Sequence, residues 1–252
     1  MTELKNDLSG KELAEYLARV EPRVAGPYRR PRDSATLILL DGTPAAPRVL
    51  LGKRSERHAF LPGKFVFPGG AVDASDSRIQ TASSLDPESE RRLLVRMQRP
   101  SAARARALAL AAIRETCEET GLLIGQRGSL SSLPASAWKP FAETGISPNL
   151  GALMFVARAI TPPGRPRRFD ARFFVAHRRD VAAELPGKVG PEAELVELRW
   201  LTFDEARAEN LPHITKVVLT EIEKRLKADF SSRLPVPFYY FRQGRPRREE
   251  IA

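Results

Sequence analysis

A single cysteine, Cys117, stands in 252 residues, so no disulfide can close within the chain, and a reducing, cytoplasmic setting is expected. Histidine is almost as scarce: His58, His177 and His213 are too scattered to read as a histidine metal site. Nowhere do about 18 apolar residues run together, so no membrane-spanning helix is expected. The opening residues MTELKNDLSGKELAEYLARV mix charges where an export signal would carry an apolar stretch. Neither Gly-x-Gly-x-x-Gly nor Gly-Lys-Ser/Thr occurs, which argues against a dinucleotide-binding fold and a P-loop. Acid is also in deficit. With 41 Lys and Arg against 31 Asp and Glu the net charge is +10, which suits a polyanionic ligand, either a phosphate ester or a nucleic acid.

What remains is enough for one sizeable core, since 42% of the residues are hydrophobic. Residues 1–31 read as an N-terminal helix, with Ser9 as its cap, followed by the Pro-rich connector EPRVAGPYRRPRD. The main domain is expected over 32–228. SATLILL and PRVLLGKR, separated by the turn-forming DGTPAAP, read as paired strands, and KFVFPGGAV continues extended to Gly69-Gly70. Residues 77–105 are polar and read as an insertion with a short helix around Glu88 to Met97. ARALALAAIRETCEET is the strongest helix, stopped by Gly121. GALMFVARAI, RRFDARFFVAHR and ELVELRWLT read as strands, the last running into a helix near Thr202 and Asp204, and VVLTEIEKRLKA as a final amphipathic helix. Residues 229–252 are expected to be a tail. Strands with few intercalated helices predict a mixed α/β domain of the α+β type rather than a doubly wound sheet.

The helix before Gly121 raises the chemical question. Glu115, Glu118 and Glu119 stand at i, i+3 and i+4, so they share a face near a helix C-terminus, where the macrodipole adds to their mutual repulsion. Arg114 can neutralise one of them. Two readings fit: a solvated acidic helix end, or hard oxygen ligands for Mg²⁺ or Mn²⁺ beside a substrate phosphate.

FPGGAVDASD and RETCEETGL together resemble the box of the Nudix hydrolases, G-x5-E-x7-R-E-U-x-E-E-x-G-U, where U is apolar. Gly70, Arg114, Glu115, Glu118, Glu119, Gly121 and Leu122 match it. Asp76 replaces the first Glu, Thr116 takes an apolar position, and residues 77–113 make 37 where the pattern has seven. The resemblance implies a mixed sheet sandwiched between helices, with the insertion inside the box. It further implies a divalent ion held by Glu115, Glu118, Glu119 and the backbone of Gly70, with Arg114 orienting a glutamate. The implied reaction is attack of water on a nucleoside diphosphate joined to a group X. Glu118 or Glu119 is then the expected proton acceptor, with Glu194 as a further candidate.

LLGKRSERHAFLPGKFVFPGG, residues 50–70, is also similar to the signature of coenzyme A pyrophosphatases in that family, L-L-T-x-R-S-x3-R-x3-G-x3-F-P-G-G, with Gly52 and Ala59 departing from it. Coenzyme A or an acyl derivative is the expected substrate, and ADP-ribose, NADH, a nucleotide sugar or a nucleoside triphosphate the alternative. Arg54, Arg57, Gly69 and Glu194 are the expected substrate contacts, with Arg57 and His58 close enough to stand in for the missing second Arg. GRPRR occurs at 164–168 and 244–248 and resembles a minor-groove hook, yet nucleic acid is not the expected partner. A binding module without turnover is the third reading, disfavoured by the three intact glutamates. Cys117 is expected on the core side of its helix. Trp138 and the tail PVPFYYF are expected either to pack back on the domain or to meet a second copy as a homodimer contact.

Overall fold

The computed structural model describes residues 8–21, 25–43, 45–128, 136–230 and 234–252. Parts of the Pro-rich connector and of the 41–47 turn lie outside these residues. In chain order the elements are α1 (Gly10–Val20), β1 (Arg32–Thr43), β2 (Ala46–Arg54), β3 (Phe65–Val66), β4 (Gly69–Ala71), α2 (Pro87–Leu94), α3 (Ala102–Thr120), β5 (Leu122–Arg127), α4 (Lys139–Thr144), β6 (Ile146–Pro148), β7 (Met154–Ile160), β8 (Phe169–His177), β9 (Val181–Glu184), β10 (Leu195–Thr202), α5 (Phe203–Ala208), α6 (His213–Lys227), β11 (Val236–Arg242) and β12 (Arg245–Ile251).

The principal sheet runs β10-β2-β1-β8-β7-β11-β12, with β3 paired to β2 and β4 to β1; β6-β5-β9 form a second, small sheet. β1 is parallel to β8 and antiparallel to β2 and β4, so the sheet is mixed. Its two faces are both buried because side chains alternate along each strand. Ala35, Leu37 and Leu39 of β1 enter a core with α3 and the small sheet. Ile38 and Leu40 enter a second core with α1, α5 and α6. Helices therefore cover both faces, as the resemblance implies. Among the described residues no helix is long and apolar enough to cross a membrane.

The helix α3 lies where its composition lets it lie. Ala105, Ala107, Ala109, Ala111 and Ala112 are all buried, and small side chains allow close approach to the sheet. Ser101 caps its start by accepting a bond from the Arg104 amide, and Gly121 ends it at φ 80°. A side chain on Gly121 would also collide with the Leu185 carbonyl, so glycine is required there twice over.

Two expectations about extent are corrected. The tail 229–252 is not separate from the domain: β11 pairs with β7 and β12 closes that edge, burying Val236, Phe238, Tyr239 and Ile251. VPFYYFR is an apolar and aromatic run with its first four residues buried, whereas RPRREEI carries one apolar residue and gives no sequence signal; it folds as a strand because β11 supplies the ladder. The insertion also ends earlier than expected, since α3 begins at Ala102. Its helix α2 packs against α3 and β7. In the loop after α2, the carbonyl of Val95 accepts a bond of 2.9 Å from Arg158, and Arg96 pairs with Glu249 of β12.

Phe238 tests whether the hairpin is integral. Its ring lies 4.4 Å beneath the Arg158 guanidinium and stacks on Tyr240. Phe238→Ala is expected to lower the unfolding free energy by about 3 kcal/mol, measured by urea denaturation; a loss near zero would mean that the hairpin is detached.

Candidate active site

The site is built where α3 crosses β4 and the ends of β2 and β10. Arg114 is its fixed point. Nε and Nη2 donate to the two Asp76 oxygens at 2.8 and 3.1 Å, Nη2 also donates to the Ala71 carbonyl at 2.9 Å, and Nη1 reaches Glu115 at 2.8 Å and Glu118 at 3.0 Å. Asp76 is fully buried. It accepts further bonds from the Asp73 amide at 2.8 Å and from Trp138 Nε1 at 3.3 Å. The shorter carboxylate therefore makes a bidentate brace across the insertion, and Trp138, expected at a surface or packed back, lies in the core against it. Burial opposes the Arg114 charge, but Asp76 and Glu115 outweigh it and hold the guanidinium firmly protonated.

The three helix glutamates differ in burial. Glu115 is partly buried above Gly70, whose backbone passes so close that any side chain there would strike the Glu115 carboxylate. Glu119 is buried, 5% exposed, accepting from the Gly69 amide at 3.3 Å with Arg54 at 3.9 Å. Glu118 stands toward solvent, held by Arg114. The inward partner instead comes from the far side. Glu194, just before β10, meets Arg54 at 2.6 Å and His58 at 3.5 Å. The pairing of Leu195 with Arg54 brings it there, a tertiary contact that no local sequence signal could show.

Glu119 is held well above the usual carboxylate range by burial first, with the charges of Glu194 and Glu115 adding and Arg54 only partly offsetting them. Glu115 is raised by burial as well, with Glu118 and Glu194 adding and Arg114 opposing. This is a site short of positive charge, lined with oxygen donors, and that chemistry fits a hard divalent ion. Among the described residues no three Asp, Glu, His or Cys side chains converge closely enough to hold one as they stand; Glu115 and Glu118 share Arg114 Nη1, and Arg54 takes Glu194. Of the expected substrate contacts, Arg54 and Glu194 are thus engaged with each other. Arg57 sits farther out, paired with Glu192 at 3.0 Å.

Cys117 lies on the core side of α3 as expected, 1% exposed, and burial pushes its thiol up to about 11. It should resist alkylation at pH 8 until the protein unfolds; rapid labelling of the native state would contradict this packing. Removing the brace is expected to be costly. Asp76→Ala leaves Arg114 buried beside weaker partners and should destabilise by about 3 kcal/mol in thermal or chemical unfolding, whereas a loss below about 1 kcal/mol would show that the pair is incidental.

No family model matches the chain. It is 30% identical to the acyl-coenzyme A diphosphatase NUDT19 of Gallus gallus, over 57% of this chain and 54% of that protein. It is 28% identical to nudix hydrolase 7 of Caenorhabditis elegans, over 57% of this chain and 43% of that protein. The chain spans about half the length of these curated relatives. Among solved structures, a NUDIX hydrolase from Alicyclobacillus acidocaldarius is similar with a TM-score of 0.58 and 27% identity, covering 81% of this chain and 96% of that one. A mixed sheet between helices, a box whose two halves meet through Asp76 and Arg114, and these similarities make the chain similar in fold and in sequence to Nudix hydrolases.

Proposed function

We propose that the protein hydrolyses the diphosphate linkage of a nucleoside diphosphate joined to a group X, and that X makes the substrate coenzyme A or an acyl-coenzyme A. The observation that carries the reaction class is the pair of carboxylates, Glu115 and Glu119, facing the Gly69–Gly70 backbone with too little positive charge around them. A divalent ion, Mg²⁺ or Mn²⁺, held by Glu115 and Glu119 together with Glu118 would lower the pKa of the attacking water and neutralise charge on the phosphate oxygens.

This chain's own groups do the rest. Arg114 fixes the start of the glutamate run against the 71–76 loop, so the carboxylates keep their position when a charged substrate arrives. Gly69 and Gly70 leave the floor of the site without side chains, which lets a diphosphate approach the helix. Glu194, on a different element from the helix carboxylates and half-exposed, is the acceptor for the proton of the attacking water. Water adds to one phosphorus, the bridging P–O bond breaks, and coenzyme A gives 3′,5′-ADP and 4′-phosphopantetheine.

Choice of substrate rests on the near-match at residues 50–70 and on the similarity to an acyl-coenzyme A diphosphatase. Product analysis on coenzyme A, ADP-ribose, NADH, nucleotide sugars and nucleoside triphosphates, with Mg²⁺ or Mn²⁺, tests both levels. Turnover of coenzyme A is expected, with a loss of about a hundredfold or more in Glu119→Gln. Because that carboxylate is disfavoured in its charged form, Glu119→Gln should at the same time keep or raise the Tm. Turnover of another compound alone would discard coenzyme A, and no metal-dependent turnover of any would discard the hydrolase.

A further inference from the structure

The coenzyme A reading leaves one phosphate without a reader. Coenzyme A carries a phosphomonoester on its ribose, outside the linkage that is cleaved. The cations expected near it are already engaged: Arg54 with Glu194, Arg57 with Glu192, and position 59 is an alanine.

A cation from another part of the chain arrives at the same loop. Gly70 pairs with Ala35 near the start of β1, and Arg32, the first residue of β1, pairs with Phe169, the first of β8. The turn between β7 and β8, which holds the first GRPRR motif, therefore lies at the end of the sheet that carries the site. Its three arginines divide sharply. Arg165 pairs with Glu21 at 2.6 Å, and Arg168 is buried, donating to the carbonyls of Thr161 and Arg29. Arg167 is exposed and, among the described residues, has neither a carboxylate nor a carbonyl partner. Its guanidinium lies 5.9 Å from the centre of the Phe60 ring.

Phe60 connects this arginine to the chemistry. Its ring also meets Phe169 edge-on at 5.9 Å, so the 55–63 loop is fastened to the β7–β8 turn. His58 Nδ1 lies 2.9 Å from the Phe60 carbonyl, and the same histidine lies beside Arg54 and Glu194. A guanidinium resting on an aromatic face is positioned by that contact while its N–H groups stay open to an anion, and a phosphomonoester suits their planar geometry.

We propose that Arg167, supported on Phe60, is a specificity-determining residue that binds a phosphomonoester on the nucleoside half of the substrate. The ligand class is a nucleoside 3′,5′-bisphosphate. This rests on the coenzyme A reading for its biological substrate, but the subsite can be tested without turnover. The probes are 3′,5′-ADP and 5′-AMP, titrated calorimetrically into the full chain and into Arg167→Ala, Arg167→Lys and Lys11→Ala. The last removes the same charge from an exposed position on α1.

The full chain is expected to prefer 3′,5′-ADP by about tenfold or more. Arg167→Ala should abolish that preference, Arg167→Lys should retain part of it, and Lys11→Ala should leave it intact. In steady state, Arg167→Ala should raise KM for coenzyme A without changing kcat, and should leave dephospho-coenzyme A unaffected. No preference in the full chain, or a preference that survives Arg167→Ala, overturns the subsite. An Arg167-dependent preference in a protein that does not cleave coenzyme A supports the subsite and overturns the activity instead.

Discussion

The buried bond between Arg114 and Asp76 is the constraint on which the rest of the site depends. It joins the first residue of the glutamate run to the loop after Gly70, although 37 residues separate them in the chain. Because one guanidinium also holds Ala71, Glu115 and Glu118, the position of the loop, the direction of the helix carboxylates and the lie of α3 on the sheet are set together. Such an arrangement tolerates a long insertion, since closing a longer loop adds only slowly to the entropic cost. The insertion in turn is not left loose. Its helix α2 and the loop after it are held by Arg158 of β7 and by β12.

The net charge takes on a different meaning once the arginines are located. Arg114, Arg158, Arg168, Arg172 and Arg225 are all buried, serving carboxylates or backbone carbonyls. Much of the +10 is thus distributed through the fold rather than displayed as a field. The GRPRR repeats illustrate this. In the first, Arg165 and Arg168 are structural and Arg167 is open; in the second, Arg248 is tied to Glu221 and Glu250 within the closing hairpin. Two identical motifs do not make one binding device, because their neighbours differ.

The sequence made the fold legible where local signals and long-range packing agree. Ser9 and Thr202 each cap the helix that follows, and Gly121 stops α3 in the left-handed region that glycine adopts without strain. The strands of β1, β2 and β8 follow their apolar runs. It was silent on β12, whose Arg- and Glu-rich pattern belongs to an edge strand with a solvated side, and it left two places open for Trp138, whose role depends on the buried carboxylate beside it.

For the site, the sequence by itself determined which helix carries the carboxylates, that Gly69 and Gly70 lie near them, and that their number calls for a cation. Periodicity suffices for the first, since i, i+3 and i+4 are neighbours on any helix; the nearness of the glycines and the need for a cation came from the resemblance to the Nudix box. Only the tertiary structure decided that Glu119 is buried while Glu118 faces out, that Asp76 spans the distance to Arg114, and that Glu194 and Arg167 reach the same end of the sheet. These are consequences of burial and strand register, β10 against β2 and β8 against β1, and register is fixed by the packing of whole faces rather than by the residues that it brings together.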